Sequence, residues 1–179
     1  MKDWNVVVTV FQDGYKRVLR ALEKLGSVER TPYHNVVVMK VDDPTALLEA
    51  IEKIIEENPA LYDAISRVAP AIQNVDFLSE IEFVDKVKSI ICEWSPNLAG
   101  RSFHVRWHRR GAKHDLHTHD VERIFNDAIV GATTTAGTPS KISFTDPDMV
   151  ITVDTVDHRA GLAMWTREDR ARFHLLRPD

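Results

Sequence analysis

Three groups of residues in this 179-residue chain have the types and spacing to do chemistry. The first is Arg101 to Arg109, RSFHVRWHR, in which apolar and basic side chains alternate. Strand periodicity sends Phe103, Val105 and Trp107 to one face and His104, Arg106 and His108 to the other, which predicts a buried apolar face and a cationic one. Arg109, Arg110 and Lys113 carry the basic character into the following loop, and Arg123 follows. Guanidinium groups bind phosphate bidentately, and a few together hold a polyanion by its shape without reading its sequence. Imidazoles can stack on bases or donate to phosphate. The same arginines could instead pair with acids such as Asp115 or Glu122 and form an ordinary charged strand face. The second group is His114-Asp115-Leu116-His117-Thr118-His119-Asp120. Its imidazoles and carboxylates could ligate zinc if the segment were a turn, but no second ligand block with a general base stands beside it. The third is the carboxylates Asp146/Asp148 and Asp154/Asp157, the kind of pairs that do acid–base work. Asp146-Pro147-Asp148 reads better as turn chemistry.

Charge distribution supports the first group. The chain has a net charge of -4, which is wrong for phosphate neutralisation if charge is spread evenly. Residues 1–97 hold eleven Lys/Arg against sixteen Asp/Glu, whereas residues 98–123 hold six against three and five of the eight histidines. That concentration is what an electrostatic footprint looks like. The composition, 44% hydrophobic and 28% charged, predicts a packed core and excludes a disordered chain. One cysteine, Cys92, excludes an internal disulfide framework and a multi-cysteine zinc site, and its apolar helical surroundings predict a buried small hydrophobe. The lack of a membrane-spanning apolar run or a signal-peptide pattern predicts a cytoplasmic protein.

The elements that must position these groups fall into two parts. Val-rich Asn5–Phe11 predicts a strand. An amphipathic helix from Tyr15 to Leu25 is expected to close at Gly26. Val36–Val41 predicts a second strand, and a helix starting at Asp43-Pro44 runs through Glu57. Ala64–Ala71 is expected as a strand with Pro70 at a sheet edge or a strand end, since Pro70 cannot donate. This order predicts an α+β sandwich over residues 1–75. In the second part, 76–179, Leu78, Ile81, Val84, Val87, Ile90, Ile91 and Trp94 mark a helix. After the basic strand come a helix that begins at Thr118 or at His119-Asp120 and runs to Val130 with Val121, Ile124, Phe125, Ala128 and Ile129 inward, a Thr-rich loop over 132–140, and strands at Lys141–Phe144, Met149–Val156 and Gly161–Trp165. The last two form a hairpin around Asp157-His158-Arg159, and the tail from Thr166 is expected as a short charged helix or turn followed by an extended end. Trp4, Trp94, Trp107 and Trp165 are expected as packing residues.

From Asp76 to Trp165 the order of helix, basic strand, helix, loop and paired strands resembles the THUMP domain. Phe103-His104-Val105-Arg106-Trp107-His108-Arg109-Arg110-Gly111 is similar to the family's F-x-V-R-x-x-R-R-G strand. Asp120-Val121-Glu122-Arg123-Ile124 is similar to the start of its next helix, and Phe144-Thr145-Asp146-Pro147-Asp148 with Val150–Val153 to its turn and strand. Ser66-Arg67-Val68-Ala69-Pro70 resembles the strand closing the ferredoxin-like domain that commonly precedes THUMP. Phe125-Asn126-Asp127 departs from a family glycine, and Thr118-His119 from a family serine. The resemblance implies an α+β chain with an N-terminal ferredoxin-like domain (1–75) followed by an α/β THUMP RNA-binding domain (76–179). It also implies recognition of tRNA, typically at its acceptor end, for which the basic cluster described above supplies the expected RNA-binding residues His104, Arg106, His108, Arg109, Arg110, Lys113 and Arg123. In layout it is similar to the stand-alone THUMP adaptor of a tRNA cytidine acetyltransferase.

No Gly-rich nucleotide loop, N-P-P-Y-like methylating motif, paired deaminase cysteines or P-loop is present, and the chain ends soon after the resemblance. The expectation is therefore an adaptor with no catalytic residue, no metal and no cofactor. It would present tRNA to a separate tRNA-modifying enzyme and engage neither DNA nor a membrane. Two other classes remain: a metal-dependent hydrolase using His114–His119, and a protein-interaction module docking through the acidic helix of Glu49, Glu52, Glu56 and Glu57.

Overall fold

A computed structural model of the chain describes residues 2–111 and 116–178. The backbone divides into two compact units, 1–73 with 173–177, and 74–172 with 178–179.

In the first unit, β1 (Val6–Val10), β2 (Ser27–Arg30), β3 (Val36–Lys40) and β4 (Ile65–Pro70) form an antiparallel sheet in the order β2-β3-β1-β4. Helices α1 (Tyr15–Leu22) and α2 (Ala46–Glu57) follow β1 and β3, giving the ferredoxin-like βαββαβ order. Pro70 lies on the edge strand, as its missing N–H requires. β2 escapes the sequence pattern because Ser27-Val28-Glu29-Arg30 offers one apolar residue and remains largely exposed at the other edge. α1 stops at Leu22, four residues before Gly26. Gly26 serves close approach instead: a Cβ there would lie 2.6 Å from the Lys40 carbonyl oxygen. Asp43 Oδ1 accepts the N–H groups of Thr45 (2.9 Å) and Ala46 (3.0 Å), so Pro44 precedes α2 and does not sit in its first turn. The tail returns to this unit. The Val68 N–H donates to the Leu175 carbonyl (2.8 Å), and Arg67 Nε donates to the carbonyls of Leu176 (3.2 Å) and Arg177 (3.0 Å).

The second unit has a five-stranded sheet, β5-β9-β8-β6-β7, built from β5 (Gln73–Asp76), β6 (Ser102–Arg110), β7 (Lys141–Ile142), β8 (Met149–Val156) and β9 (Arg159–Thr166). β6 runs parallel to both β7 and β8, while β8 and β9 form the expected hairpin. Helices α3 (Glu80–Glu93) and α4 (Thr118–Thr135) bury Phe83, Val87, Ile91, Val121, Phe125 and Ile129 against Phe103, Val105, Trp107, Ile151 and Val153. Phe83 stands 4.9 Å from Phe77 and 5.0 Å from Trp107 between ring centroids.

Helix α3 begins with a capping pair. Ser79 accepts the Glu82 N–H (3.2 Å), and Glu82 accepts the Leu78 N–H (2.7 Å). The helix therefore starts after Leu78, and Leu78 and Ile81 are exposed, not inward as their spacing predicts. Ser79-x-x-Glu82 was the signal that would have set this start. α4 runs to Thr135, so its last turn takes the place of the start of the expected Thr-rich loop. Thr133 sustains that turn by donating to the Ile129 carbonyl (2.9 Å) and bonding Ser140 Oγ (2.9 Å). Ile124 is exposed. Cys92 is half-buried, and desolvation pushes its thiol up from the ordinary range. Trp4, Trp107 and Trp165 are buried as expected, and Trp94 packs half-buried against the core. A short helix, α5 (Arg167–Arg172), follows β9.

Candidate nucleic-acid interface

Strand β6 delivers its apolar face as the alternation requires: Phe103, Val105 and Trp107 are buried. The other face is not the open cationic surface that alternation predicts. β6 lies inside the sheet between β7 and β8, and its polar side chains are engaged. His104 is 0% exposed; its Nδ1 lies 2.8 Å from the Ser143 carbonyl oxygen, and its ring packs 5.3 Å from Phe144. His104 thus presents no surface to solvent. His108 Nε2 lies 2.8 Å from the Pro178 carbonyl oxygen. Arg110 Nη1 bonds buried Asp154 Oδ1 at 3.1 Å. Arg106 is half-buried and lies 3.6 Å from Glu122. Arg109 is exposed, with its guanidinium 5.7 Å from the Trp107 ring centroid and donating to the Leu116 carbonyl (3.1 Å). Arg123 is exposed on α4 and pairs with Asp120 (3.3 Å). Lys113, His114 and Asp115 lie outside the described residues.

Helix α4 meets β6 through two polar side chains one turn apart. Asn126 Oδ1 accepts the Val105 N–H (2.9 Å), and Glu122 Oε1 accepts the Trp107 N–H (2.8 Å). β7 pairs with β6 only at Ser102 and Phe103, so these side chains satisfy strand donors that β7 is too short to reach. Glu122 is itself buried, and its charge is met by Arg106 and lies 3.7 Å from His119 Nδ1.

Above this junction is a depression of about 560 Å³ lined by Arg106, His119, Arg123, Glu122, Asn126, Ile142 and Phe144. Phe144 is 63% exposed. Sequence periodicity extends β7 through Phe144, but the strand ends at Ile142 and Phe144 belongs to the turn before Asp146-Pro147-Asp148. The Asp-Pro turn residues two positions after Phe144 were the available sign that it leaves the sheet. His119, which the sequence places at the start of α4 and among the alternative metal ligands, stands on the rim, 92% exposed. The depression thus combines a flat aromatic with two arginines and an imidazole, an arrangement that suits an unstacked base and its phosphate.

The carboxylates Asp146 and Asp148 are structural. Asp148 Oδ2 accepts the N–H (2.9 Å) and hydroxyl (2.7 Å) of Ser102, and the Ser102 hydroxyl oxygen accepts the Asp148 N–H (2.9 Å). Arg167 bonds Asp146 (3.0 Å) and Asp148 (3.1 Å), and Arg170 donates to the Pro147 carbonyl. The Ser102 N–H, then its hydroxyl, hold the Asp148 carboxyl below the usual carboxylate range. Asp154 is spent on Arg110. His117 and His119 are exposed, and among the described residues no group of three or more His, Cys, Asp and Glu is placed to hold a metal ion. No helix among the described residues is long and apolar enough to cross a membrane.

The fold and the motifs on it define a class. The THUMP domain family model matches residues 79–164, so the chain carries a THUMP domain preceded by a ferredoxin-like unit. Three solved structures are similar over nearly its whole length. PH1313 from Pyrococcus horikoshii Ot3 superposes with a TM-score of 0.62 at 11% identity, covering 92% of this chain and 55% of that one. A 4-thiouridine synthetase in a complex with RNA and ATP gives 0.59 at 14% identity, covering 92% and 42%. TrmN from Thermus thermophilus gives 0.53 at 19% identity, covering 90% and 44%. The chain therefore spans about half the length of these proteins. No curated protein matches its sequence.

Proposed function

We propose that this chain binds tRNA through its THUMP domain and presents the acceptor end to a separate tRNA-modifying enzyme, contributing no catalytic group itself. A cytidine acetyltransferase is the partner that the sequence layout favours, with cytoplasmic tRNA as the substrate. The observation that carries the reading is the depression beside β6, where exposed Phe144 faces Arg106, His119 and Arg123. In this reading Phe144 stacks a nucleobase of the single-stranded end, and Arg123, Arg106 and His119 meet its phosphates. Arg109, exposed at the end of β6, extends the backbone contact, and Lys113, four positions later in the sequence, is expected to add to it. His104 supports Phe144 from beneath, and His108 and Arg110 hold the strand in place.

Fluorescence anisotropy with total tRNA and with tRNA trimmed of its 3′ single-stranded end tests the reading. Micromolar or tighter, salt-sensitive binding is expected, weaker for the trimmed tRNA. Phe144→Ala is expected to weaken binding by about 1–3 kcal/mol, the value of one stacked base. Arg109→Ala/Arg123→Ala is expected to flatten the salt dependence as well. Absence of binding at low salt, or binding indifferent to all three substitutions, would sink the interface. Addition of the chain to a tRNA cytidine acetyltransferase assay tests presentation: stimulation is expected, and equal activity without the chain argues against it.

A further inference from the structure

The first unit carries a second cationic surface that the net acidity of residues 1–97 conceals. A cleft of about 920 Å³ lies along α1 and is lined by Lys16, Arg17, Arg20, Lys24 and His34, with Asp13 and Glu57 as its acidic residues. Charge is sorted by element: α1 has three cationic residues in eight and no acid, whereas α2 carries the glutamates. Lys16, Arg20 and Lys24 follow one another at intervals of four residues and are all exposed. On a helix that interval is about 6 Å of rise, so Lys16 and Arg20 form one row along the axis and Lys24 continues it in the turn after Leu22. Arg17 is anchored at the cleft wall by donating to the Ala60 carbonyl (3.0 Å).

We propose that this cleft binds the phosphodiester backbone of RNA, as a second contact independent of the THUMP domain. The proposal rests on the RNA-binding function proposed above. A row of regularly spaced cations matches a polymer with one negative charge per repeat. Long Lys and Arg side chains position a backbone without reading sequence. The aromatic nearby does not offer a stacking face: Tyr15 is half-buried, and the Arg30 guanidinium lies 5.6 Å from its ring centroid. The cleft is thus built for phosphate and not for bases, the complement of the Phe144 depression.

The test uses the full chain, Lys16→Gln/Arg20→Gln/Lys24→Gln beside Arg109→Ala/Arg123→Ala, with tRNA and with poly-glutamate across a salt series. All substituted side chains are exposed, and circular dichroism melts check that folding is retained. The triple variant is expected to bind tRNA at least tenfold more weakly, with a log K against log salt slope flatter by about two to three. Unchanged tRNA affinity and slope in the triple variant, while the Arg109/Arg123 variant weakens, overturns the cleft and leaves the THUMP interface standing. Failure of the parent chain to bind tRNA overturns the function itself. Retained tRNA binding with lost poly-glutamate binding also overturns the proposal, because it makes an acidic protein segment the occupant.

Discussion

Asp148 shows how a single residue can look catalytic and be architectural. Its carboxylate ties the turn after β7 to the first residue of β6 through two hydrogen bonds from Ser102, and its backbone N–H adds a third by donating to the Ser102 hydroxyl. Because the folded state holds its pKa below the unfolded value of about 3.9, its stabilisation is complete above that value and is lost as pH falls through the folded pKa. Thermal melts of the parent and Asp148→Asn chains are expected to differ most near neutral pH and to converge below about pH 4. A gap independent of pH would assign the stabilisation to something other than ionised Asp148. In the sequence, Asp-Pro-Asp correctly reads as a turn, but its anchor, Ser102, is 46 positions away, and no local pattern links the two.

The element that shapes the candidate interface is helix α4. Its apolar positions Val121, Phe125 and Ile129 were legible from their period, and so was its start near Thr118. Its two most consequential residues were not. Glu122 and Asn126 are polar, so a hydrophobic pattern assigns them to solvent, yet both are buried and bonded to β6 N–H groups. Asn126→Ala removes the acceptor for the Val105 N–H and leaves a buried donor unmet. Denaturant unfolding is expected to show a loss of about 1–3 kcal/mol. A loss near zero would mean that water or a neighbouring group replaces the amide. The same reasoning explains why alternation over-read β6. Period two correctly separates the faces of a strand, but it does not say whether the second face meets water, and here His104 and Arg106 meet neighbours.

At the scale of the whole molecule, the chain is not two beads threaded once. Residues 173–177 return to the ferredoxin-like unit, where backbone bonds tie Val68 to Leu175 and Phe173, Leu175 and Leu176 are buried. Removing everything after Arg172 would expose about three apolar side chains' worth of surface, on the order of 5 kcal/mol. The truncated chain is expected to lose protease resistance across the first unit while the THUMP domain persists. Equal resistance throughout would show that the tail contributes nothing to that unit. The tail was read from sequence as an extended end, because a five-residue return has no period and its partner strand is more than a hundred positions earlier. The two-part organisation itself was visible, since each part has its own strand and helix order.

The short reach of β7 has one more consequence. A strand that stops after two residues leaves its neighbour's next donors available, and an unpaired row of N–H groups is a template on which another chain's strand can add. Glu122 and Asn126 fill two places in that row with side-chain oxygens, so the Val105 and Trp107 N–H groups are already taken and cannot pair with a foreign backbone. The plug allows the sheet to open a concave surface beside β6 without creating a sticky edge there. The chain leaves Phe144 exposed, and at the adjacent strand these two bonds oppose strand addition by another copy.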